Sequence, residues 1–257
     1  MLENRPKRMK TVSGLVELDF AWKQQYRMLA KEFARLLPKS GMIVEVGCGE
    51  GQLTIPLARL VRSRFVTVDS FAWPYATGYR SLLNKLSKEK LKRQISLVKR
   101  DYRNFLSAQK EDLFGGVISS EFLPEIDSKQ TPAFLSECHR ILKPDGITVH
   151  SFLSSVPKNK RQSLLIEADT NPKWTKTPPE EWFSPTRNLV TSELRYAGFK
   201  AIKTFRLKSN LVAKGEAARQ LLRDWDVKEA FWKSHKPFLI SEGLEIPDWI
   251  ICAGRKS

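Results

Sequence analysis

The sequence is short of several things. Its 257 residues include only three cysteines and three histidines, and its 28 acidic residues are outnumbered by 44 basic ones. No apolar stretch approaches the roughly 18 residues of a membrane span, so nothing reads as membrane-inserted. Cys48, Cys138 and Cys252 make neither a metal-ligand spacing nor an even disulfide set. They read as reduced, buried thiols of a cytoplasmic protein, and no metal site is expected. The basic start "MLENRPKRMK" leads into no apolar signal region, so nothing there suggests export. No repeat or low-complexity tract is visible.

What is present in excess is positive charge, a formal +16. Such a field can steer a nucleic acid, an acidic protein or a small anionic substrate, and charge alone does not choose among them. The densest basic stretch is "RSLLNKLSKEKLKRQISLVKR", residues 80–100. Its leucines, Leu82, Leu83, Leu86 and Leu91, fall as on a surface helix with one buried stripe. That reading makes the lysines a solvated face; a polyanion contact is the alternative.

Residues 17–37 carry Phe20, Met28, Leu29, Phe33, Leu36 and Leu37 at helical spacing, ended by Pro38 and Gly41. Five short apolar runs follow: "MIVEV", "RFVTVDS", "ISLVKRD", "GGVISSEF" and "GITVHSF". Helical patterns over 53–62, 75–92 and 131–142 lie between them. Strands alternating with helices predict a parallel sheet wound on both faces, with ligands beyond the carboxyl ends of its strands. After Phe152 the rhythm breaks in a proline- and tryptophan-rich segment, 153–188, of little periodicity. A helix "LVTSELRYAG", a strand "FKAIKTFRL", a helix over 215–236 and a strand "DWIICAGR" complete a predicted seven-stranded α/β domain over 1–257. Its core would be 38–152. The segments 153–188 and 209–246 would cap the substrate side, with Trp174, Trp182, Phe183, Trp225 and Trp232 either lining a pocket or anchoring a lid.

The stretch "MIVEVGCGEGQLTIPLARL", residues 42–60, says most. An apolar strand stops at Gly47, Gly49 and Gly51, where the backbone must turn sharply and approach a ligand closely. A dinucleotide fingerprint would need glycine at Gln52, and no Walker lysine follows. Glu45 and Glu50 stand in the turn with no Lys or Arg between Gly41 and Leu57. A pyrophosphate prefers free N–H groups without carboxylates nearby. Two like charges about 4 Å apart cost about 4 kcal/mol at an effective dielectric near 20. A cationic ligand would be favoured instead.

On these residues the chain resembles the class I S-adenosylmethionine-dependent methyltransferases. "VEVGCGEG" is similar to their first motif, "VTVDS" to the second and "KRDY" to the third. "ECHRILKPDGITVHSF" is similar to the helix, turn and strand leading into strand five. The resemblance implies a Rossmann-like, mostly parallel sheet and S-adenosyl-L-methionine as cofactor. It places Gly47, Gly49 and Gly51 beneath the methionyl part, with Glu45 anchoring the loop or the amino group. Asp69 would accept from the ribose hydroxyls, and Asp101 from the adenine amino group beside the backbone of Tyr102. Phe71 and Trp73 would flank the ring, or simply pack in the core. Ser119, Ser120 and Glu121 would face the methyl group and the acceptor. The family's aspartate at the start of strand four is replaced by Gly115 and Gly116.

If the acceptor must lose a proton, Glu121 is the first candidate base and His150 the second; the alternatives are a turn cap and a satisfied histidine. His139 reads as structural, and His235 carries no signal. The expected activity is methyl transfer to a small or medium-sized metabolite. The alternatives are methylation of RNA or a protein, or a non-catalytic module that kept the fold. The sequence sets no oligomeric state.

Overall fold

The computed structural model describes residues 10–72, 77–176 and 185–257. In chain order the first elements are β1 (Lys10–Val12), α1 (Leu15–Leu36), β2 (Met42–Val46), α2 (Thr54–Ala58) and β3 (Arg64–Asp69). There follow α3 (Gly78–Lys88), β4 (Ile95–Lys99), α4 (Tyr102–Ser107), β5 (Phe114–Ser120), α5 (Thr131–Ile141) and β6 (Leu142–Leu153). Next come α6 (Lys160–Thr170), α7 (Arg187–Tyr196), β7 (Lys200–Leu207) and β8 (Leu211–Ala213). The last are α8 (Glu216–Asp224), α9 (Glu229–Ser241), β9 (Leu244–Glu245) and β10 (Trp249–Arg255).

The described residues fall into two compact units. One comprises those within Tyr26–Phe152, Phe183–Arg206 and Ile250–Ser257. It is organised on the expected seven-stranded sheet, in the order β4-β3-β2-β5-β6-β10-β7. β2 pairs in parallel with β3 and β5, β3 with β4, and β5 with β6. The register sets Glu45 opposite Thr67, Asp69 opposite Lys99 and Ser119 opposite His150, so these residues gather at the strands' carboxyl ends. Parallel strands are buried on both faces, which is why β2 reads as an unbroken apolar run. Its core includes Val44, Val68, Val117, Phe134, Phe152 and Leu194.

Local chemistry explains the element boundaries. α3 buries Leu82 and Leu86 and leaves Lys88 outward, as its stripe predicts. α7 closes at Gly198 (φ +96°), with the Gly198 N–H on Arg195 O and the Phe199 N–H on Leu194 O. His139 packs edge-on to Phe199 at 5.0 Å, the structural role read for it. α4 was not expected; Asp101 caps it, accepting from the Arg103 and Asn104 N–H groups. The missing aspartate of β5 has a steric reason. A Cβ on Gly116 would stand 2.9 Å from the side chain of Leu37, just past α1, and would have to displace it.

The second unit comprises the described residues within Met1–Gln25, Leu153–Trp182 and Leu207–Trp249. Both segments singled out as capping fall in it, apart from the described residues 185–188. A three-stranded sheet, β1-β8-β9, joins β1 to β8 in parallel and β8 to β9 antiparallel. Two expectations are corrected here. The stretch read as irregular holds α6, started by Asn159, whose side chain accepts the Gln162 N–H. The helix over 215–236 is two helices, α8 and α9, separated by a turn in which Asp226 takes φ +56°. Trp174 and Trp232 are packing anchors: both are buried, and Trp174 meets Phe231 edge-on at 5.4 Å. Trp225 packs part-buried on the same cluster, and His235 stacks on Phe231 at 4.2 Å. Trp182 and Phe183 lie outside the described residues.

Candidate active site

The glycine turn leaves β2 with all three glycines at positive φ: +72° at Gly47, +47° at Gly49 and +78° at Gly51. Space is as restrictive as conformation. A Cβ on Gly47 would lie 2.5 Å from the Phe122 ring, and one on Gly51 would lie 2.5 Å from Leu82. The turn is tied to the neighbouring strand: the Gly47 N–H donates to Val68 O at 2.8 Å. Asp69, at the end of β3, completes the tie. One of its oxygens accepts the Gly49 N–H at 2.9 Å and the other the Phe71 N–H at 2.7 Å. A carboxylate oxygen carries two acceptor positions, so each keeps capacity for a ligand hydroxyl.

The electrostatic reading of the turn needs correction. Glu45 is buried, and its carboxylate accepts the Thr54 hydroxyl at 2.5 Å, which ties β2 to the first turn of α2. Burial pushes its pKa up to about 8, against the Thr54 hydrogen bond and with help from Asp69, so near neutrality it is mostly uncharged. Glu50 pairs with Lys85 at 2.7 Å, a partner 35 residues away in sequence. Of the two glutamates that suggested a cationic ligand, burial favours the uncharged form of one, and the other is ion-paired.

The remaining candidates separate by burial. Phe71 (φ +49°) is buried against Gly78 and packs edge-on to Tyr79 at 5.3 Å. Trp73 lies outside the described residues. Asp101 holds Arg103 at 3.0 Å in addition to capping α4, and these contacts keep its carboxyl below the usual range, the Arg103 hydrogen bond most of all. The Tyr102 hydroxyl donates to Gln130 at 2.9 Å, and its ring packs edge-on against Phe122 and Phe134.

Ser119 and His150 lie together in the interior. Ser119 is buried and its hydroxyl meets His150 Nδ1 at 2.8 Å, while His150 Nε2 meets the Thr148 hydroxyl at 2.7 Å. Burial holds the imidazole pKa down at about 3, so the ring stays neutral. Both ring nitrogens of His150 are thus engaged inside the protein, with no exposure. Glu121 differs. It follows β5, half-buried, at φ +55°, and its N–H donates to Ser151 O at 2.9 Å. A non-glycine residue there costs backbone energy, and such strain concentrates at functional positions.

Sequence reasoning missed Phe122, whose ring fills the space beside Gly47. It also missed Lys85, the charge partner in the turn; neither left a signal within the motif itself.

A family model described as "Methyltransferase domain" matches residues 43–146. A mitochondrial ubiquinone biosynthesis O-methyltransferase of Dictyostelium discoideum is 28% identical over 125 residues, 48% of this chain and 37% of that protein. A ubiquinone biosynthesis O-methyltransferase of Cereibacter sphaeroides is 24% identical over 169 residues, 64% of this chain and 62% of its own length. The chain thus spans less than two thirds of either relative. Among solved structures, a SAM-dependent methyltransferase from Archaeoglobus fulgidus superposes with TM-score 0.58 at 16% identity. That match covers 91% of this chain and 94% of the other. At that identity the likeness shows the fold.

Proposed function

From the premise that this chain carries a class I S-adenosyl-L-methionine-dependent methyltransferase domain, we propose that it methylates a hydroxyl of a small or medium-sized metabolite. The observation that carries the reading is the clip made by Asp69, which holds the glycine turn and presents two acceptor oxygens at the end of β3. An adenosine ribose offers a vicinal pair of hydroxyls to match them. The relatives' names, both O-methyltransferases, support oxygen as the accepting atom.

The residues present fit the cofactor. Side-chain-free backbone at Gly47, Gly49 and Gly51 would pass beneath it, Asp69 would take the ribose, and Asp101 with the Tyr102 backbone would border the base. When bound, the cofactor supplies an electrophilic sulfonium methyl group. The protein's work is to hold the acceptor oxygen in line, where effective molarity alone lowers the barrier by several kcal/mol. Glu121 would take the hydroxyl proton onto its carboxylate, leaving the oxygen as nucleophile. Its backbone bond to β6 fixes where that carboxylate starts. A reducing, cytoplasmic setting belongs to the same reading; Cys48, Cys138 and Cys252 are all free and buried.

The test is to incubate the purified protein and methyl-labelled cofactor with the small-molecule fraction of a native extract. Label in a metabolite is the expected result. Label only in RNA or protein would replace the acceptor class, and no label in any fraction would leave a binding module.

A further inference from the structure

Glu121 is the first residue past β5 and takes a left-handed backbone conformation, φ +55°. A non-glycine residue keeps that conformation only where its surroundings over-determine it. The ties that fix this strand end are polar and lie on both of its faces. Register sets Ser119 opposite His150 and Ser120 opposite Ser151, and successive residues of a strand face opposite ways. On one face the Ser151 hydroxyl donates to the Ser120 hydroxyl at 3.0 Å. On the other, Ser119 meets His150 Nδ1 at 2.8 Å, and His150 Nε2 meets Thr148 at 2.7 Å. Beyond Glu121, the Phe122 ring occupies the space that a Cβ on Gly47 would need. All of these residues lie in the unit built on the seven-stranded sheet.

The direction of each bond on the His150 face follows from its protons. The Thr148 hydroxyl has one and gives it to Val117 O at 3.2 Å, a group that can only accept. Thr148 therefore accepts from His150 Nε2–H, which leaves Nδ1 bare to accept from the Ser119 hydroxyl. The chain from Ser119 through the ring and Thr148 to Val117 crosses between β5 and β6 twice, with every proton placed. Phe134 packs edge-on against the ring at 5.6 Å, on the apolar core. A strand that simply continued would set Glu121 on the face of Ser119, toward that core. The left-handed residue takes it out of the alternation.

We propose that His150 is a positioning residue for methyl transfer: by gripping Ser119 across the two strands it holds the end of β5, and with it the starting point of the Glu121 side chain. It acts through Glu121 and not on the substrate. The inference rests on the methyl-transfer reading above, in which Glu121 takes the acceptor's proton. Ser119→Ala cuts the grip and leaves the ring, Thr148 and the backbone in place. With the extract's small-molecule fraction and labelled cofactor both saturating, the rate should fall about tenfold, because a misplaced group loses effective molarity. S-adenosylhomocysteine affinity should stay within about twofold, and Ser119→Thr, which keeps the hydroxyl, should recover the rate. Glu121→Gln supplies the deciding background. There Ser119→Ala should cost less than about a further twofold, since the carboxylate it placed is gone. A merely structural role would slow both backgrounds alike by about tenfold, which overturns the inference and leaves methyl transfer standing. So does a Ser119→Ala protein with the wild-type rate, or a Glu121→Gln protein that has lost none. Should Ser119→Ala fold poorly, Ser119→Ala combined with His150→Phe removes both partners, keeps a ring against Phe134, and is read in the same cycle. A wild-type protein that transfers no label to any small molecule would instead sink the methyl-transfer reading itself, and the positioning role with it.

Discussion

Glu121 and Glu45 are both carboxylates beside the glycine turn's strands, and their surroundings give them opposite uses. Glu121 is half-buried on a strained backbone at the end of β5. Glu121→Gln should lower kcat about 100-fold, the usual contribution of a positioned base, and leave S-adenosylhomocysteine affinity within about twofold. Equal loss in both, by steady-state kinetics and calorimetry, would make it a scaffold residue. Glu45 is sealed in the core and holds its proton up to about pH 8, whereas in the unfolded chain it ionises near 4.5. Between those values the native state carries a proton that the unfolded state has lost, so stability from this group is full below 4.5 and declines as pH rises. The slope is about 1.4 kcal/mol per pH unit. His150 acts in the opposite sense only below its unfolded value of 6.5, so the decline is best seen between pH 6.5 and 8. Glu45→Gln keeps an acceptor for Thr54, and its denaturant unfolding should lose less stability than wild type across that window. Parallel curves would show that Glu45 is ionised in the fold.

At the scale of elements, the turn between β2 and α2 depends on what packs against it. Gly47→Ala would drive a methyl group into Phe122 and force a left-handed alanine, which should cost about 1–3 kcal/mol in chemical denaturation. Unchanged stability would mean the ring moves aside freely. What could be read in advance follows from how local each signal is. β2 and β3 announce themselves because strands covered on both faces are continuous apolar runs, and the glycines and Asp69 sit at their ends. α6 was invisible because its buried face mixes Gln162 with Leu164, Leu165 and Ala168, while Pro157 and the lysines Lys158 and Lys160 crowd its start. The break between α8 and α9 turns on Asp226, whose left-handed backbone no apolar period reports. In α1 the stripe was drawn through Phe20, which is half exposed, while Gln25 is buried. The long-range pairs Glu50–Lys85 and Ser119–His150 exist only once the sheet is assembled.

For the whole molecule, the +16 charge has no counterpart in the metabolite reading beyond steering. Lys88, Lys90, Lys92 and Arg93 stand exposed together along the end of α3 and the turn into β4. If they are a solvated face, turnover of a small acceptor should change little between 50 and 200 mM salt. A fall of about a thousandfold in substrate affinity would instead mark phosphate contacts with RNA. With Glu45 neutral and Glu50 paired, we propose that Asp69 supplies the affinity for an adenosine ribose at the glycine turn, while Gln52 in place of a fingerprint glycine turns the choice away from NAD. Calorimetric titration of wild type and Asp69→Ala with S-adenosylhomocysteine, and separately with NAD, tests that choice most directly. Wild type should bind S-adenosylhomocysteine and ignore NAD, and Asp69→Ala should lose at least about 100-fold in affinity, as two hydrogen bonds to a charged acceptor imply, while still unfolding cooperatively. Binding of NAD in place of S-adenosylhomocysteine, or an affinity untouched by the substitution, would contradict the assignment.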